Sequence, residues 1–396
     1  MAVDTRFVVE QFAACRRFAA MGHVKAENTL LPETYGRVQT TYLKQNRRDT
    51  FAAAYGDINK SYTFPESLQV LASSYIEATL PVNGGGNYKS IPGLFIIDKY
   101  YLRCNGDLVY SGSYQTLLSD HLQSLTDEDA RAYCEALMGY IPGAASGAAR
   151  TVFLPVPLPN SHLWRHGGRG QGAFPFNSFT QNKLEISFDF YANTHSAADR
   201  TQVSPAMTGV RMVHKEVICP LAQLPSLRDA RGRYAMVSRR FTQLQDWTAA
   251  ASGVEQDIVV SNLSGCVVEL IVEACPQQSD LDRLDILSPV TPSSVRLICD
   301  SVECVNHDSQ AECKLIEYSH GYRKNDFFNS ITYRLVFGSH GAESDKTFQG
   351  AINFSGITQA NLKLTFGEAV NFRITAIQLG ITSITSSGRL TQKIDG

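Results

Sequence analysis

An all-β chain built from two β-sandwiches in tandem is what this sequence predicts, and three observations carry the prediction. From about residue 40 onward, short runs rich in β-branched and aromatic residues follow one another, separated by Gly, Pro, Asn and Asp. Several of these runs alternate apolar and polar side chains with the two-residue period of a half-buried strand. The length, 396 residues with 43% hydrophobic, suggests two domains of roughly 100–200 residues, one large β-rich domain also being allowed, and either is long enough to bury a sizeable core. No short-period repeat is visible, which argues against a solenoid or propeller.

Along the chain, residues 7–21 place Val8, Phe12, Cys15 and Ala19 on one stripe, the pattern of a short amphipathic helix. Ser67–Pro81 alternates partly and stops at Pro81, before the run Asn83-Gly84-Gly85-Gly86-Asn87. Gly93–Arg103 reads as a strand, and Asn105-Gly106 is a strong hairpin signal before Leu108-Val109-Tyr110. Residues 114–139 are the clearest helical region. Thr126 is placed to cap a helix opening on Asp127-Glu128-Asp129, acids that suit the positive end of the helix dipole, and Gly139 is placed to end it.

Val152–Asn160 holds three prolines, so it reads as an edge or irregular strand. Lys183–Tyr191 is the cleanest alternating strand, with Leu184, Ile186, Phe188 and Phe190 on one face. Further strands are expected at Gly209–Cys219, Tyr234–Leu244, Asp257–Asn262, Cys266–Ala274, Val295–Val305, Glu312–Tyr318, Ile331–Phe337, Asn361–Phe366 and Ala369–Leu379. Leu221–Arg233, with Pro225 and little alternation, is the best linker. The resulting division is an arm at 1–45, a first domain at 46–220, a linker at 221–233, a second domain at 234–385 and a tail at 386–396.

The charge balance narrows the function. With 36 Lys+Arg against 38 Asp+Glu the net charge is −2, whereas a protein that coats nucleic acid needs a concentrated basic surface. The largest basic clusters here are pairs, Arg16-Arg17, Arg47-Arg48 and Arg239-Arg240. The first residues carry Asp4, Arg6 and Glu10 where a secretory peptide would be apolar, and Ala2 stands where myristoylation needs Gly. Apolar stretches such as Val259–Val272 fall short of the roughly 18 residues that span a bilayer. Nine irregularly spaced cysteines read as thiols in a reducing compartment.

Chemical motifs are weak. Gly168-x-Gly170-x-x-Ala173 echoes a dinucleotide loop but follows a proline-rich strand and runs into Phe174-Pro175-Phe176. His162 and His166 lack the His-Glu-x-x-His pattern. Cys299, Cys304, His307, Cys313 and His320 have spacings that match no zinc knuckle, and read as thiols flanking a hairpin turn at Asn306-His307-Asp308. There is no G-x-S-x-G elbow or Walker loop, and a Ser/His/Asp set has no local support. Asn59-Lys60-Ser61, Asn262-Leu263-Ser264 and Asn353-Phe354-Ser355 fit the glycosylation sequon, a triplet common by chance. Catalytic, cofactor-binding and metal-binding residues are accordingly expected to be none.

Residues 331–366, with Gly350, Asn353, Phe354, Ser355, Leu362 and Leu364, resemble the second jelly roll of the double jelly-roll major capsid proteins of eukaryotic DNA viruses, the lineage of large DNA viruses, virophages and polinton-like viruses. Leu154-Pro155-Val156-Pro157-Leu158-Pro159, then Ala173-Phe174-Pro175-Phe176, then Lys183–Phe190 is similar to a segment of the family's first jelly roll. Phe64-Pro65, Tyr75–Pro81 and Ile91-Pro92-Gly93 resemble its opening strands, and Tyr234–Leu244 the strand that opens the second. The match covers roughly residues 50–385; the closing strand departs from the usual wording.

The resemblance implies two tandem eight-stranded jelly-roll sandwiches, with a few short helices in the N-terminal arm and loops. It also implies a structural protein, not an enzyme, that forms a homotrimer and pseudo-hexameric capsomers tiling an icosahedral virion. Its expected partners are itself, neighbouring capsomers, penton and minor capsid proteins, and an internal membrane reached through the arm, with no sequence-specific nucleic acid. Its expected location is the virion shell, assembled in the infected host cell without a secretion signal. The loops 83–90, 160–172, 193–208 and 276–294 are the expected towers or intersubunit contacts. The alternative is a tandem carbohydrate-binding or adhesion module, for which only Trp164 and Trp247 offer an aromatic platform. A cupin-like enzyme would need metal histidines that the sequence lacks.

Overall fold

Strands in the first half sort into two antiparallel sheets whose inner faces meet. In the computed structural model, residues 44–393 are described except 69, 84–87, 143–146, 160, 162, 164–173, 180–182, 193–204, 218–234, 280–285, 320–326 and 338–350. The first lobe carries β1 (Lys44–Thr50), β2 (Lys60–Thr63), β3 (Leu71–Leu80), β4 (Ile97–Cys104), β5 (Asp107–Ser113), β6 (Arg150–Pro155), β7 (Leu184–Phe190) and β8 (Thr208–Val217). They pair as β1-β8-β3-β6 and β2-β7-β4-β5. The alternation read in Lys183–Tyr191 is borne out: Leu184, Ile186, Phe188 and Phe190 are buried. Their core partners include Phe51, Tyr62, Phe64, Phe174 and Phe176, whose rings meet edge-on or tilted.

The second lobe carries β9 (Ala235–Ala250), β10 (Gln256–Val259), β11 (Cys266–Pro276), β12 (Ser294–Cys299), β13 (Val302–His307), β14 (Tyr333–Val336), β15 (Ile352–Asn353), β16 (Ala360–Thr365), β17 (Val370–Ile384) and β18 (Leu390–Lys393). One sheet is β10-β16-β12-β13; in the other, β17 lies between β9 and β11, and β11 pairs β14. Setting aside the short β15 and β18, β9-β17-β11-β14 and β10-β16-β12-β13 repeat the first lobe strand for strand. This is one jelly-roll path used twice.

Helices stand at the same place in both copies, between the fifth strand and the sixth. In the first lobe they are α1 (Tyr114–Gln123) and α2 (Asp127–Leu137); in the second, α3 (Gln310–Ser319). Thr126 caps α2 as expected, its hydroxyl accepting from the Asp129 N–H at 3.2 Å. Gly139 adopts φ +74° just past the helix, a region that suits glycine. The Asn105-Gly106 hairpin also forms, both residues at positive φ (55° and 84°) as a type I′ turn requires. Among the described residues the proline-bearing β6 pairs only with β3, at the sheet edge. No helix among the described residues is long and apolar enough to cross a membrane.

Several expectations need correction. Gly93–Arg103 begins as a 3₁₀ turn, Pro92–Phe95, because Pro92 presets a helical φ at its start; the strand starts at Ile97. Val295–Val305 is a hairpin of β12 and β13, turning at Asp300-Ser301 with φ 45° and 68°, so the turn is not at 306–308. Glu312–Tyr318 is helical, not a strand. Ser309 and Glu312 form the Ser-x-x-Glu start of α3, Ser309 Oγ accepting from the Glu312 N–H at 3.2 Å. Strand β1 begins two residues before the expected boundary at 46, its polar sequence made a strand by pairing with β8. Residues 390–393 of the expected tail form β18 against β17. The helix expected at 7–21 and the linker at 221–233 lie outside the described residues.

Candidate functional site

Among the described residues, buried charge concentrates at the seam between the lobes. Strand β11 reads Cys-Val-Val-Glu-Leu-Ile-Val-Glu-Ala-Cys-Pro and is buried at every position but its last. Its Leu270, Val272 and Ala274 belong to the core of the second lobe. Ile271 and Cys275, pointing the other way, join the hydrophobic cluster of the first. Glu269 and Glu273 share that outward face by the two-residue period, so two carboxylates are carried into the seam.

Each is met by an arginine. Arg373, opposite Glu273 on β17, donates from Nε to Oε2 at 2.5 Å and from Nη2 to Oε1 at 2.9 Å. Both side chains are 1% exposed. The first lobe covers the pair: Ser113 Oγ accepts from Arg373 Nη1 at 3.0 Å, and Thr116 Oγ1 donates to Glu273 at 2.7 Å. The Trp247 ring lies 4.6 Å from the guanidinium. Burial opposes the charge on Arg373, yet Glu273 beside it holds the pKa above the ordinary arginine value.

A second group lies along the same strand. Arg334 reaches both Glu269 (2.6 Å) and Asp120 of α1 (2.9 Å), and Arg239 reaches Asp120 at 2.7 Å. Burial pushes the Asp120 carboxyl up, but the two guanidinium groups outweigh it and hold the pKa below the ordinary value. Lys99–Asp246 at 2.8 Å and the pair Arg389–Asp107 continue the seam outward. At the edges, Tyr110 Oη accepts from the Phe241 N–H at 2.6 Å. A Cβ on Gly112 would stand 3.1 Å from the Phe241 carbonyl oxygen, so the close approach of β5 to β9 depends on that glycine.

Buried charges paired in this way fix the orientation of the two lobes. Removing one partner of a buried pair strands the other charge, at about 3–5 kcal/mol, so sliding of one lobe over the other is opposed wherever it would part a pair. No sequence motif pointed to the seam. The signal that could have is two glutamates four apart in an otherwise apolar strand, which demand buried cations elsewhere in the chain.

One catalytic-looking set does converge. Ser74 Oγ lies 2.8 Å from His214 Nδ1; His214 Nε2 lies 2.7 Å from Tyr62 Oη, which donates to Asp49 at 2.9 Å. Ser74 and His214 are 3% and 0% exposed on the inner face of a sheet, where a substrate carbonyl has no room to approach. Desolvation lowers the His214 pKa to about 4, so the ring is neutral and the hydrogen bonds satisfy buried polar groups.

The other residues singled out by sequence have structural settings. Cys299 is buried on β12 and Cys304 exposed on β13; a hydrogen bond from Cys299 brings the Cys304 thiol down to about 7. Cys313 is buried on α3, and His307 ends β13. Among the described residues no three His, Cys, Asp or Glu side chains gather as a metal site. The seven described cysteines form no disulfide with one another. In Asn353-Phe354-Ser355, the Asn353 side chain accepts from the Ser355 N–H at 3.0 Å, Phe354 is buried, and Ser355 Oγ accepts from the Gly265 N–H at 2.8 Å. His162, His166, Trp164, His320 and the 165–172 loop lie outside the described residues.

No family model matches the chain, and no curated protein matches its sequence. Solved structures do match in fold. PBCV-1 VP54, as fitted into a reconstruction of the virophage Sputnik, superposes with TM-score 0.69 at 11% identity, over 90% of this chain and 97% of that one. The Faustovirus major capsid protein gives TM-score 0.59 at 9% identity, over 86% and 90%. The mavirus major capsid protein gives 0.52 at 10%, over 89% and 90%. Strand order and superposition agree: the chain has the double jelly-roll fold of viral major capsid proteins.

Proposed function

We propose that this chain is a structural major capsid protein that joins as a homotrimer and tiles an icosahedral virion shell. The observation that carries the reading is the pair of lobes with the same strand wiring, locked together by a buried ionic seam. Three such chains in a ring present six similar lobes, a pseudo-hexameric brick. The fold shared with capsid proteins of PBCV-1, Faustovirus and mavirus supports the same reading. The near-neutral balance of −2 suits copies packed side by side.

In this role the chain needs no catalytic residue, cofactor or metal. Its partners are its own copies, adjacent capsomers, and penton and minor capsid proteins. The arm at 1–45 is its contact with the virion interior or an internal membrane; particles that form normally without residues 2–30 would remove the arm from that role. The carbohydrate-binding alternative is weakened because Trp247 is engaged under Arg373. Size-exclusion chromatography with light scattering tests the main reading. The expected result is three times the 43.6 kDa chain mass; a stable monomer that binds sugar contradicts it.

A further inference from the structure

The outer face of the first lobe carries the same ion pair as the seam, in the same register, without the cover. On β3 and β8, Glu77 stands opposite Arg211 just as Glu273 stands opposite Arg373 on β11 and β17. The bonding repeats: Arg211 Nε to Glu77 Oε2 at 2.8 Å and Nη2 to Oε1 at 2.7 Å. Exposure does not. Arg211 and Glu77 are 42% and 13% exposed, with Arg48 at 54% lying 3.7 Å from Glu77, whereas the seam pair is 1% exposed on both sides.

The group that covers the seam pair has a counterpart as well. Ser113 and Thr116 are the cap and third residue of α1, joined by the Thr116 N–H to Ser113 Oγ bond at 3.2 Å. In the second lobe Ser309 and Glu312 hold the same two positions on α3, joined by the same bond at 3.2 Å. Both helices are ten residues long. Helix α1 is buried for most of its length between the lobes, while on α3 Gln310, Ala311, Glu312, Lys314 and Leu315 are exposed. Leu315, 63% exposed, occupies the place of the fully buried Ser119.

We propose that the exposed Glu77–Arg211 face of one copy is the docking site for the Ser309–Glu312 end of α3 in a second copy of this chain, repeating between chains the contact made within one. This rests on the trimer reading above and adds its contact surfaces. The charges are complementary: the face holds Arg48 and Arg211 against Glu77 alone, and α3 presents Glu312 where α1 presents the neutral Thr116. Asp308 beside the cap and Glu303 on β13 are exposed as well, and Lys314 is an exposed base further along α3. Edge strand β13 of one copy then lies beside edge strand β1 of the next, as β5 lies beside β9 within the chain. Each copy offers one face and one helix end, so the contact is head-to-tail, the class that forms a ring when its rotation closes, as the trimer reading requires.

Charge reversal tests the pairing on the full chain. Arg211→Glu and Glu312→Arg are each expected to raise the trimer dissociation constant about tenfold or more, and the double variant to recover most of that loss. Glu312 also accepts from the Asp308 N–H at 2.9 Å at the start of α3, so a small drop in the urea midpoint of the Glu312→Arg monomer is expected. Recovery of the trimer in the double variant, which does not restore that bond, separates weakened docking from misfolding. Trimers as tight as wild type in both single variants overturn this docking surface and leave the trimer reading standing. A wild-type chain that is monomeric overturns both.

Discussion

The two lobes follow one strand path but place their polar groups on opposite sides of the corresponding sheet. In the first lobe, Ser74 stands opposite His214 on the inner face, and Tyr62 completes a polar network in the core. At the matching positions the second lobe has Leu270 opposite Ala376, and its core is apolar. On the outer face the order reverses. The second lobe buries Glu269, Glu273, Arg334 and Arg373 there, whereas the first leaves Glu77 and Arg211 partly in water. The wiring therefore does not decide which face is dry; the cover does, and among the described residues only the second lobe's ion pair is covered by the other lobe.

Arginine truncation should separate the lobes most strongly. Arg373→Met strands Glu273 in the seam and is expected to cost about 3–5 kcal/mol in urea unfolding. Arg211→Met, on the half-exposed counterpart, is expected to cost about 1 kcal/mol or less in the monomer. Equal losses would break the comparison.

Acid should act on the first lobe through its core. Burial lowers the His214 pKa to about 4 from the roughly 6.5 of a free histidine. The unfolded chain therefore takes up the proton first. The stability held by the neutral ring is complete above about pH 6.5 and declines as pH falls toward 4, by an amount on the order of 3 kcal/mol. An NMR titration should find this imidazole still neutral at pH 5.5. A midpoint near 6.5 would contradict the buried network.

The smallest expected effect lies in the equivalent hairpin turns. The first lobe turns on Asn105-Gly106 and the second on Asp300-Ser301, all four residues at positive φ. Ser301→Gly should raise thermal stability by about 1 kcal/mol and Gly106→Ala should lower it by a similar amount. A loss on Ser301→Gly would mean that the serine side chain matters more than the backbone.

Much of the fold was legible because it rests on local pattern. Alternation located β7, the Asn-Gly pair located the β4–β5 turn, and Thr126 with three acids located α2. Misreadings came where local cues compete. Ile-Glu-Tyr in α3 looks like a strand, and only the Ser309-x-x-Glu312 start reveals the helix. Val295–Val305 is uniformly strand-like, and its Asp300-Ser301 turn lacks the glycine that usually marks one. The seam was illegible for a different reason. Arg373 and Glu273 lie 100 residues apart, and Asp120 meets Arg334 across 214. No window along the chain contains both halves of either pair.

The sharpest check is a density map of the purified assembly. Six lobes are expected in a ring, with the Glu312 end of α3 in each chain lying over the Glu77–Arg211 face of the next. A ring in which that face is open to solvent, or in which first lobes meet one another, would contradict it.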